Sequence, residues 1–321
     1  MNDPRGDPSP AIEVRGLVKR FGNTAAVAGI DFTVGPGELF GFLGPNGAGK
    51  TTTINLLTGL ARADAGNIRI AGIDISRSPK AAQHLIGVVA DESNLYPELT
   101  GFENLCFCGA LYGLNKRTRE KRARELLKRF GLEDAADRSF AGYSRGMKRK
   151  LTIAAGIIHE PAILFLDEPT TGLDVAAARQ IRRLIAELNG QGVTVFMTTH
   201  YIEEAERLCG RVAFIVNGRI VRSDTVPNLL RPVQGRVVVL LSVARNADEA
   251  CGVLARGFPA LECRPVAKNV VRVDTAESVR IGVLVRFLEE QGVDVSEAKL
   301  ARPSLEDVFV VVTGIEAARM Q

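Results

Sequence analysis

The segment Gly44-Pro-Asn-Gly-Ala-Gly-Lys-Thr-Thr52 has the glycine, lysine and threonine spacing of a phosphate-binding loop. An apolar stretch at Leu39–Leu43 predicts a strand before it, and the residues after it predict a helix ending near Thr58. Glycines let the backbone curl so that its N–H groups point at a phosphate, and the helix N-terminus adds partial positive charge. Lys50 can reach the β- and γ-phosphates, and the Thr51 hydroxyl can bind Mg²⁺. The residues predicted to bind the nucleotide are Gly44, Pro45, Asn46, Gly47, Ala48, Gly49, Lys50, Thr51 and Thr52.

Two carboxylates, Asp167 and Glu168, follow the apolar strand predicted at Ile163–Leu166. On its own, such a strand end is more often structural than catalytic. Beside a phosphate-binding loop, Asp167 is expected to hold Mg²⁺ through water, and Glu168 to polarise the water that attacks the γ-phosphate. Pro169 favours a turn there, so that both side chains can face one nucleotide.

His200 follows the strand predicted at Val193–Thr198. Open α/β sheets place their ligand-binding groups at the carboxyl ends of their strands, so we expect His200 to contact the γ-phosphate. The other two histidines, His84 and His159, have no such setting, and we expect structural roles for them.

The composition is that of a globular protein with more than one domain. The chain has 321 residues, of which 46% are hydrophobic and 24% charged, and the formal net charge is +4. These values exclude a disordered, a collagen-like or a disulfide-stapled chain, and the charge alone does not indicate nucleic acid. The five cysteines include no C-x-x-C pair. No apolar stretch is long enough for a membrane helix, and the start lacks the pattern of a signal peptide, so we expect a cytosolic protein.

Between Ala11 and about Val226, short apolar runs alternate with helical stretches, which is typical of an α/β domain with a largely buried sheet. Residues from Gly101 to about Asp137 predict an inserted helical subdomain. The predicted strands are Leu39–Leu43, Ile86–Val89, Ile163–Leu166, Val193–Thr198 and Val212–Val216. The predicted regions are a disordered tail at 1–10, a nucleotide-binding domain at 11–228 with its helical subdomain at about 95–160, and an accessory domain at 229–321.

Proline and glycine interrupt the pattern at Leu229–Gly235, and a smaller second domain is predicted beyond them. Its elements follow the order βαββαβ and end in a further helix. They are predicted at Arg236–Val243, Ala247–Arg256, Leu261–Val266, Asn269–Val273, Ser278–Gln291, Val293–Leu300 and Pro303–Val312. This order indicates a ferredoxin-like α+β fold.

The motifs together resemble those of the ATP-binding-cassette (ABC) family, in order and spacing, from about Ile12 to Val226. Tyr143-Ser-Arg-Gly-Met147 stands where that family has its signature, usually L-S-G-G-Q. Thr171-Gly-Leu-Asp174 is similar to the loop that follows the family's catalytic glutamate. No guanine-reading N-K-x-D or T-K-x-D segment is present. The resemblance implies an α/β P-loop NTPase fold, here an ABC cassette with a helical subdomain plus the small C-terminal α+β domain.

The resemblance also implies ATP and Mg²⁺ as cofactors and assigns further roles. Phe21 would stack on adenine, and Ser144 and Gly146 would reach the ATP of an opposite subunit, most simply a second copy of this chain. Mg²⁺ would be held by Thr51, Asp91 and Asp167. The catalytic residues would be Lys50, Glu168 and His200.

This chain departs from the family pattern at two places. Asp91 replaces a glutamine, and a carboxylate accepts hydrogen bonds without donating them. In the signature, Arg145 replaces a glycine and Met147 a glutamine, while the helix predicted over Met147–His159 and ended by Pro161 still offers its N-terminus to an anion. We expect a working site.

The closing segment, Ala301 to Gly314, and the stretch Asp91–Thr100 are similar to cassettes of the daunorubicin-resistance and nodulation-factor export group. That similarity implies the ATPase subunit of an exporter, peripheral on the inner face of the cell membrane. Its partner would be a polytopic membrane permease, against which the helical insert and the loop around Tyr96–Thr100 would press.

Two other functions stay open at this point. One is a soluble ABC ATPase acting on nucleic acid or ribosomes, although such proteins usually carry two cassettes or a long coiled coil. The other is a nucleotide sensor with little turnover. The basic stretch Lys116–Arg124 predicts first of all a solvated helix face. The alternative interpretations are contact with anionic lipid head groups or with nucleic acid. We expect no nucleic-acid partner.

Overall fold

The computed structural model describes residues 9–233, 237–275, 279–301 and 303–315. Of the disordered tail predicted at residues 1–10, only Ser9 and Pro10 lie within these ranges. Arg236, the predicted start of a strand, and Ser278, the predicted start of a helix, lie outside them. The described residues form two compact units. The first runs to Val226 and takes in residues from Val312, and the second spans Pro227–Val311.

The first unit contains two sheets. Its strands are β1 Ile12–Phe21, β2 Thr24–Val34, β3 Leu39–Leu43, β4 Ala65–Ile70, β5 Ile73–Asp74, β6 Ile86–Val89, β7 Ile163–Asp167, β8 Thr194–Thr199, β9 Arg211–Val216 and β10 Arg219–Thr225. Six of them form a sheet in the order β10-β9-β3-β8-β7-β6, parallel except for the β9–β10 hairpin. Every residue of β3, β7 and β8 is buried, as expected for parallel strands covered on both faces. The predicted α/β fold is confirmed.

The second sheet of this unit is antiparallel, in the order β2-β1-β4-β5, and none of its strands is among those predicted above. Its strands mix charged and apolar residues, because one face packs inward and the other meets solvent. Phe32 of β2 packs on Phe40 with ring centroids 5.8 Å apart, and Phe40 lies 5.7 Å from Phe196 of β8. This aromatic cluster joins the two sheets in one core.

Helices surround the large sheet and form the insert. They are α1 Lys50–Leu57, α2 Pro79–Gln83, α3 Gly101–Leu111, α4 Lys116–Arg129, α5 Arg145–Gly156, α6 Val175–Gly190 and α7 Ile202–Leu208. The short helix α8, Val226–Leu230, begins at the last residue of this stretch and continues into the second unit. Thr100 and Glu103 form a reciprocal capping box at the start of α3, and Asn115 caps α4.

The bounds predicted for the helix after the signature are wrong at both ends. Helix α5 begins at Arg145 because the Ser144 hydroxyl caps it, and it ends at Gly156 instead of His159. Glu160, which precedes a proline, has a φ of 57°, and its N–H donates to the carbonyl of Ile157. The chain therefore turns toward β7 within the residues predicted to be helical.

The second unit has the predicted split βαβ topology. Its elements are β11 Val237–Val243, α9 Ala247–Gly257, β12 Glu262–Ala267, β13 Val270–Thr275, α10 Ile281–Glu290, β14 Val295–Ala301 and α11 Leu305–Thr313. The sheet order is β12-β13-β11-β14 and every pairing is antiparallel. Alternate residues of β11 and β13 pack with α9 and α10 in a core of their own. The ferredoxin-like prediction is confirmed.

No helix within the described residues is long and apolar enough to cross a membrane.

His159 has a structural setting in the first unit. Its ring stacks on Tyr112, with centroids 3.5 Å apart, and its Nε2 lies 2.9 Å from the carbonyl oxygen of Ile86. A carbonyl only accepts hydrogen bonds, so Nε2 carries the hydrogen. The buried Nδ1 has no hydrogen-bond partner among the described residues. Burial lowers the pKa of His159 below its usual 6.5.

This lowered pKa predicts a pH-dependent contribution to stability. The unfolded chain binds the proton more readily, so the contribution is present above pH 6.5 and is lost as the pH falls through the folded pKa. Comparing His159→Gln with the wild type at about pH 8 and about pH 5.5, we expect the free-energy difference of unfolding to shrink at the lower pH. Denaturant titration measures it, and a difference that is constant across this range would contradict the assignment.

Candidate active site

The carboxyl ends of three neighbouring strands meet at one edge of the large sheet. Strands β3 and β8 pair in parallel, as do β7 and β8. The glycine loop follows β3, Glu168 follows β7 and His200 follows β8. The fold therefore brings together three groups that are far apart in sequence, at the edge where α/β sheets bind ligands.

The glycine loop is built so closely against the backbone that side chains are excluded. Gly49 has a φ of 105°, and a Cβ there would lie 2.2 Å from the carbonyl oxygen of Ala26. A Cβ on Gly44 would lie 2.1 Å from the carbonyl oxygen of Ile215. The Lys50 ammonium donates to the carbonyl of Gly44 at 2.7 Å, within the loop. These constraints explain the glycines at both positions.

A buried carboxylate, Glu168, lies at the centre of the site. Its Oε1 is 3.1 Å from Lys50 Nζ, and its Oε2 is 2.8 Å from His200 Nδ1. The Thr171 hydroxyl donates to Oε2 at 3.2 Å. Burial alone would raise the pKa of Glu168, but the His200 hydrogen bond and the Lys50 charge outweigh it, and the pKa is lowered. Glu168 is therefore ionised at neutral pH and can accept a proton.

The backbone of Glu168 is strained. Its φ is 47°, a conformation that a non-glycine residue rarely adopts. The N–H donates to the carbonyl and the hydroxyl of Thr198, at 3.2 and 3.1 Å, and the carbonyl accepts from the Arg149 guanidinium at 2.7 Å. Contacts on both sides hold the residue in this geometry.

Thr198 also binds Asp167, a contact that sequence reasoning missed. Asp167 is buried at the end of β7, and the Thr198 hydroxyl donates to its Oδ1. The only sequence signal is a hydroxyl residue directly after the apolar Val195–Met197.

Asp91 lies just beyond β6 and pairs with Arg149, whose guanidinium is 3.4 Å from its Oδ1. Partial burial raises the pKa of Asp91, and the Arg149 charge opposes that rise. Thr51 lies exposed in the first turn of α1. No group of three or more His, Cys, Asp and Glu side chains that could hold a metal occurs in the described ranges.

The signature residues line a separate cavity of about 510 Å³. Ser144 is exposed and caps α5 through a hydrogen bond from the Met147 N–H at 3.3 Å. A Cβ on Gly146 would lie 3.1 Å from the Cβ of Ala177, so the glycine lets α5 pack closely on α6. Arg145 is exposed at the cavity. The opposite wall includes Gly172, Leu173 and Asp174.

A second buried carboxylate, Glu204, ties two loops of the site together and was also missed. Its Oε2 accepts hydrogen bonds from the hydroxyls of Thr170 and Thr199, at 3.0 and 3.2 Å. Burial raises its pKa. In sequence, the pair Glu203-Glu204 is indistinguishable from a solvated helix face, so no signal marked this contact.

Phe21 lies at the end of β1 with 58% of its surface exposed. The Lys19 ammonium lies 5.5 Å from its ring centroid. The ring is accessible to a planar ligand, and its predicted contact with adenine stays a prediction.

Comparison with known proteins agrees with this geometry. The family model described as ABC transporter matches residues 27–171. The daunorubicin resistance ATP-binding protein DrrA2 of Streptomyces coeruleorubidus is 39% identical over 308 residues, which cover 95% of each chain. The Nod factor export ATP-binding protein I of Paraburkholderia xenovorans (strain LB400) is 44% identical over 223 residues, 70% of this chain and 73% of that protein.

A solved structure also matches this chain. It is a dimeric post-hydrolysis state of an ATP-binding cassette bound to ADP and Pi, with a TM-score of 0.62 and 27% identity. The match covers 67% of this chain and 98% of that one. The resemblance inferred from the motifs is thus confirmed, and this chain belongs to the ABC transporter family, as an ATP-binding subunit that hydrolyses ATP.

Proposed function

We propose that this chain powers an exporter of the drug or antibiotic type through a separate membrane-spanning partner. The observation that carries the proposal is the match to a daunorubicin resistance ATP-binding protein over 95% of both chains, which includes the C-terminal unit. The relative named for Nod factor export supports the same direction of transport. Residues 229–321 would form an accessory domain of this exporter subunit, as predicted above.

In the proposed mechanism Glu168 accepts a proton from water, whose oxygen attacks the γ-phosphorus while the bond to the leaving ADP oxygen breaks. Lys50 and the loop amides bind the phosphates, and His200, which now lies against Glu168, steadies the γ-phosphate. The oxygen donors of Thr51, Asp91 and Asp167 suit Mg²⁺, which takes one or two carboxylates together with phosphate and water. Bound Mg²⁺ would neutralise charge on the phosphates. Phe21 would stack on adenine.

The signature cavity supports the proposal that a second copy completes the site. Ser144 and Gly146 lie at the cavity with the exposed N-terminus of α5 and are free to meet an anion from another molecule. A structural neighbour is a dimeric cassette. In such a dimer the signature of one copy would face the ATP held by the glycine loop of the other.

An exposed apolar patch suits a permease partner. Tyr96, Phe107 and Leu111 are exposed to 49%, 39% and 70%, and the rings of Tyr96 and Phe107 meet edge to face at 5.1 Å. Asn104 fixes the loop by hydrogen bonds to the backbone of Tyr96. This patch follows Asp91 in sequence, so a partner pressing on it could move that loop. It would place the subunit on the cytoplasmic face of the membrane.

The nucleic-acid or ribosome alternative has no comparable observation. The basic stretch Lys116–Arg124 forms part of α4, where Lys121 pairs with Glu125 at 3.8 Å and Arg122 with Glu160 at 2.7 Å. These pairs fit a solvated helix face.

The catalytic role of Glu168 predicts that Glu168→Gln strongly slows turnover and leaves ATP binding intact. The amide fills the same space but cannot accept the proton, so kcat should fall about 10²–10⁴-fold. Phosphate release and equilibrium ATP binding measure the two properties. Glu203→Gln, on the exposed face of α7, is the matched control and should keep full activity. Near-normal turnover by Glu168→Gln would remove Glu168 from this role.

The proposed second copy predicts that ATP dimerises Glu168→Gln, because ATP that is not hydrolysed keeps the two sites closed. Size-exclusion chromatography with light scattering, at micromolar protein with and without ATP, measures the mass. A protein that stays monomeric with ATP bound would exclude the homodimer and favour pairing with a different cassette.

The proposed permease predicts that tagged Glu168→Gln, pulled down with ATP from gently solubilised native membranes, retains a polytopic membrane protein in stoichiometric amount. Adding Tyr96→Ala and Phe107→Ala should weaken this retention. Adding Leu60→Ala, an exposed apolar residue outside the patch, should not. Recovery of ribosomes or nucleic acid, with no membrane protein, would support the alternative.

A further inference from the structure

Arg149 is a buried arginine that joins three segments of the site. It lies on α5, and only 7% of its surface is exposed. One guanidinium nitrogen donates to the carbonyl of Ala90 at 2.6 Å, at the end of β6. The other donates to the carbonyl of Glu168 at 2.7 Å and lies 3.4 Å from the Asp91 carboxylate. No other residue of α5 makes polar side-chain contacts of this kind with both strand ends in the described structure.

Removing this cation from water costs free energy, and the carboxylates of the site offset that cost. Burial lowers the pKa of Arg149, and the charges of Asp91, Asp167, Glu168 and Glu204 oppose that effect. A planar guanidinium can reach two backbone carbonyls and a carboxylate at once, which an ammonium cannot do with the same geometry. The geometry at this position therefore requires an arginine, and a lysine could not make all three contacts.

The contact with Glu168 acts on the strained residue. The carbonyl of Glu168 follows a φ of 47°, and its bond from Arg149 resists relaxation to an ordinary backbone conformation. A change of φ would swing the carboxylate away from Lys50 and His200. Arg149 touches neither of those side chains in the described structure, so it acts on them through Glu168.

Arg149 also lies close to the signature. Helix α5 begins at Arg145, directly after Ser144, so Arg149 is about one helical turn inside it, some 6 Å along the axis. A movement of the helix N-terminus reaches the guanidinium without passing through a loop. The signature is thus mechanically connected to the backbone of Glu168 and to the start of the segment between β6 and α3, residues 91–100, which we call the Asp91 loop.

We propose that Arg149 is a positioning residue for hydrolysis. It fixes the backbone conformation of Glu168 and the position of the Asp91 loop, and both then depend on where α5, the helix that begins at the signature, lies. This inference rests on the proposed catalytic role of Glu168. It goes beyond that role because it makes the orientation of the base depend on a buried contact from α5.

The test compares Arg149→Gln and Arg149→Lys with the wild type as full chains. Steady-state ATP hydrolysis gives kcat and KM, equilibrium binding gives the Kd of ATP, and thermal unfolding gives Tm. Arg122→Gln is the matched control, because Arg122 also donates to a backbone carbonyl, that of Ile158 at 3.1 Å, and pairs with Glu160. It lies on α4, outside the proposed machinery.

For Arg149→Gln we expect kcat to fall about 100-fold, since misplacing a catalytic group by about an ångström costs that much. KM and the Kd of ATP should stay within about threefold, because the polar contacts of Arg149 among the described residues are with Ala90, Asp91 and Glu168 and not with the glycine loop. Arg149→Lys should recover part of kcat, since an ammonium can still donate to one carbonyl. Arg122→Gln should lose comparable Tm and keep its kcat.

A wild-type kcat in Arg149→Gln would overturn the proposal, as would a rise in KM with an unchanged kcat. If Arg149→Gln does not fold, Arg149→Lys decides, and a normal kcat in that variant also overturns it. Equal losses of kcat in the Arg149→Gln and Arg122→Gln variants would mean a structural role only. Glu168→Gln in the same assay separates the two hypotheses. If Glu168→Gln is active, the proposed catalytic role of Glu168 is wrong. If Glu168→Gln is inactive while Arg149→Gln keeps a normal kcat, only the positioning role of Arg149 is wrong.

Discussion

The site depends on keeping an ionised carboxylate, Glu168, inside the protein. A buried charge is unstable unless cations and hydrogen-bond donors replace the water it loses. Lys50 and His200 do so for the side chain, and Thr198 and Arg149 do so for the backbone on either side. These residues come from α1, from α5 and from the end of β8, so the position of Glu168 depends on how these three elements are arranged.

The parallel sheet makes this arrangement possible. Strands β3, β7 and β8 are short, buried and adjacent, and their carboxyl ends lie at one edge. The aromatic cluster of Phe32, Phe40 and Phe196 fixes the antiparallel sheet against them. The glycine loop then lies directly on the backbone of β2 and β9, where Gly49 faces Ala26 and Gly44 faces Ile215. The packing of the core and the grouping of the candidate site residues at the edge are thus two results of one topology.

The two departures from the family pattern have different structural consequences. Asp91 is not an isolated charge, because Arg149 pairs with it from the signature helix. Arg145 stays exposed at the signature cavity and disturbs neither the Ser144 cap nor the packing of Gly146 on α6. The Asp91 and Arg145 substitutions therefore leave the fold of the site intact, and each changes the charge near an expected phosphate.

Much of the fold and of the site was predictable from the residues alone. Five buried strands, the βαββαβ order of the second unit and the glycine loop follow local patterns of apolarity and glycine spacing, and the structure confirms these elements. The antiparallel sheet could not be predicted in this way, because its half-exposed strands carry both charged and apolar residues. Thr198, Glu204 and Arg149 could not be identified, since in sequence each is an ordinary polar residue in a strand or a charged helix. Their importance comes from burial and from partners up to 59 residues away, and only the packed structure determines which donors reach which carboxylate.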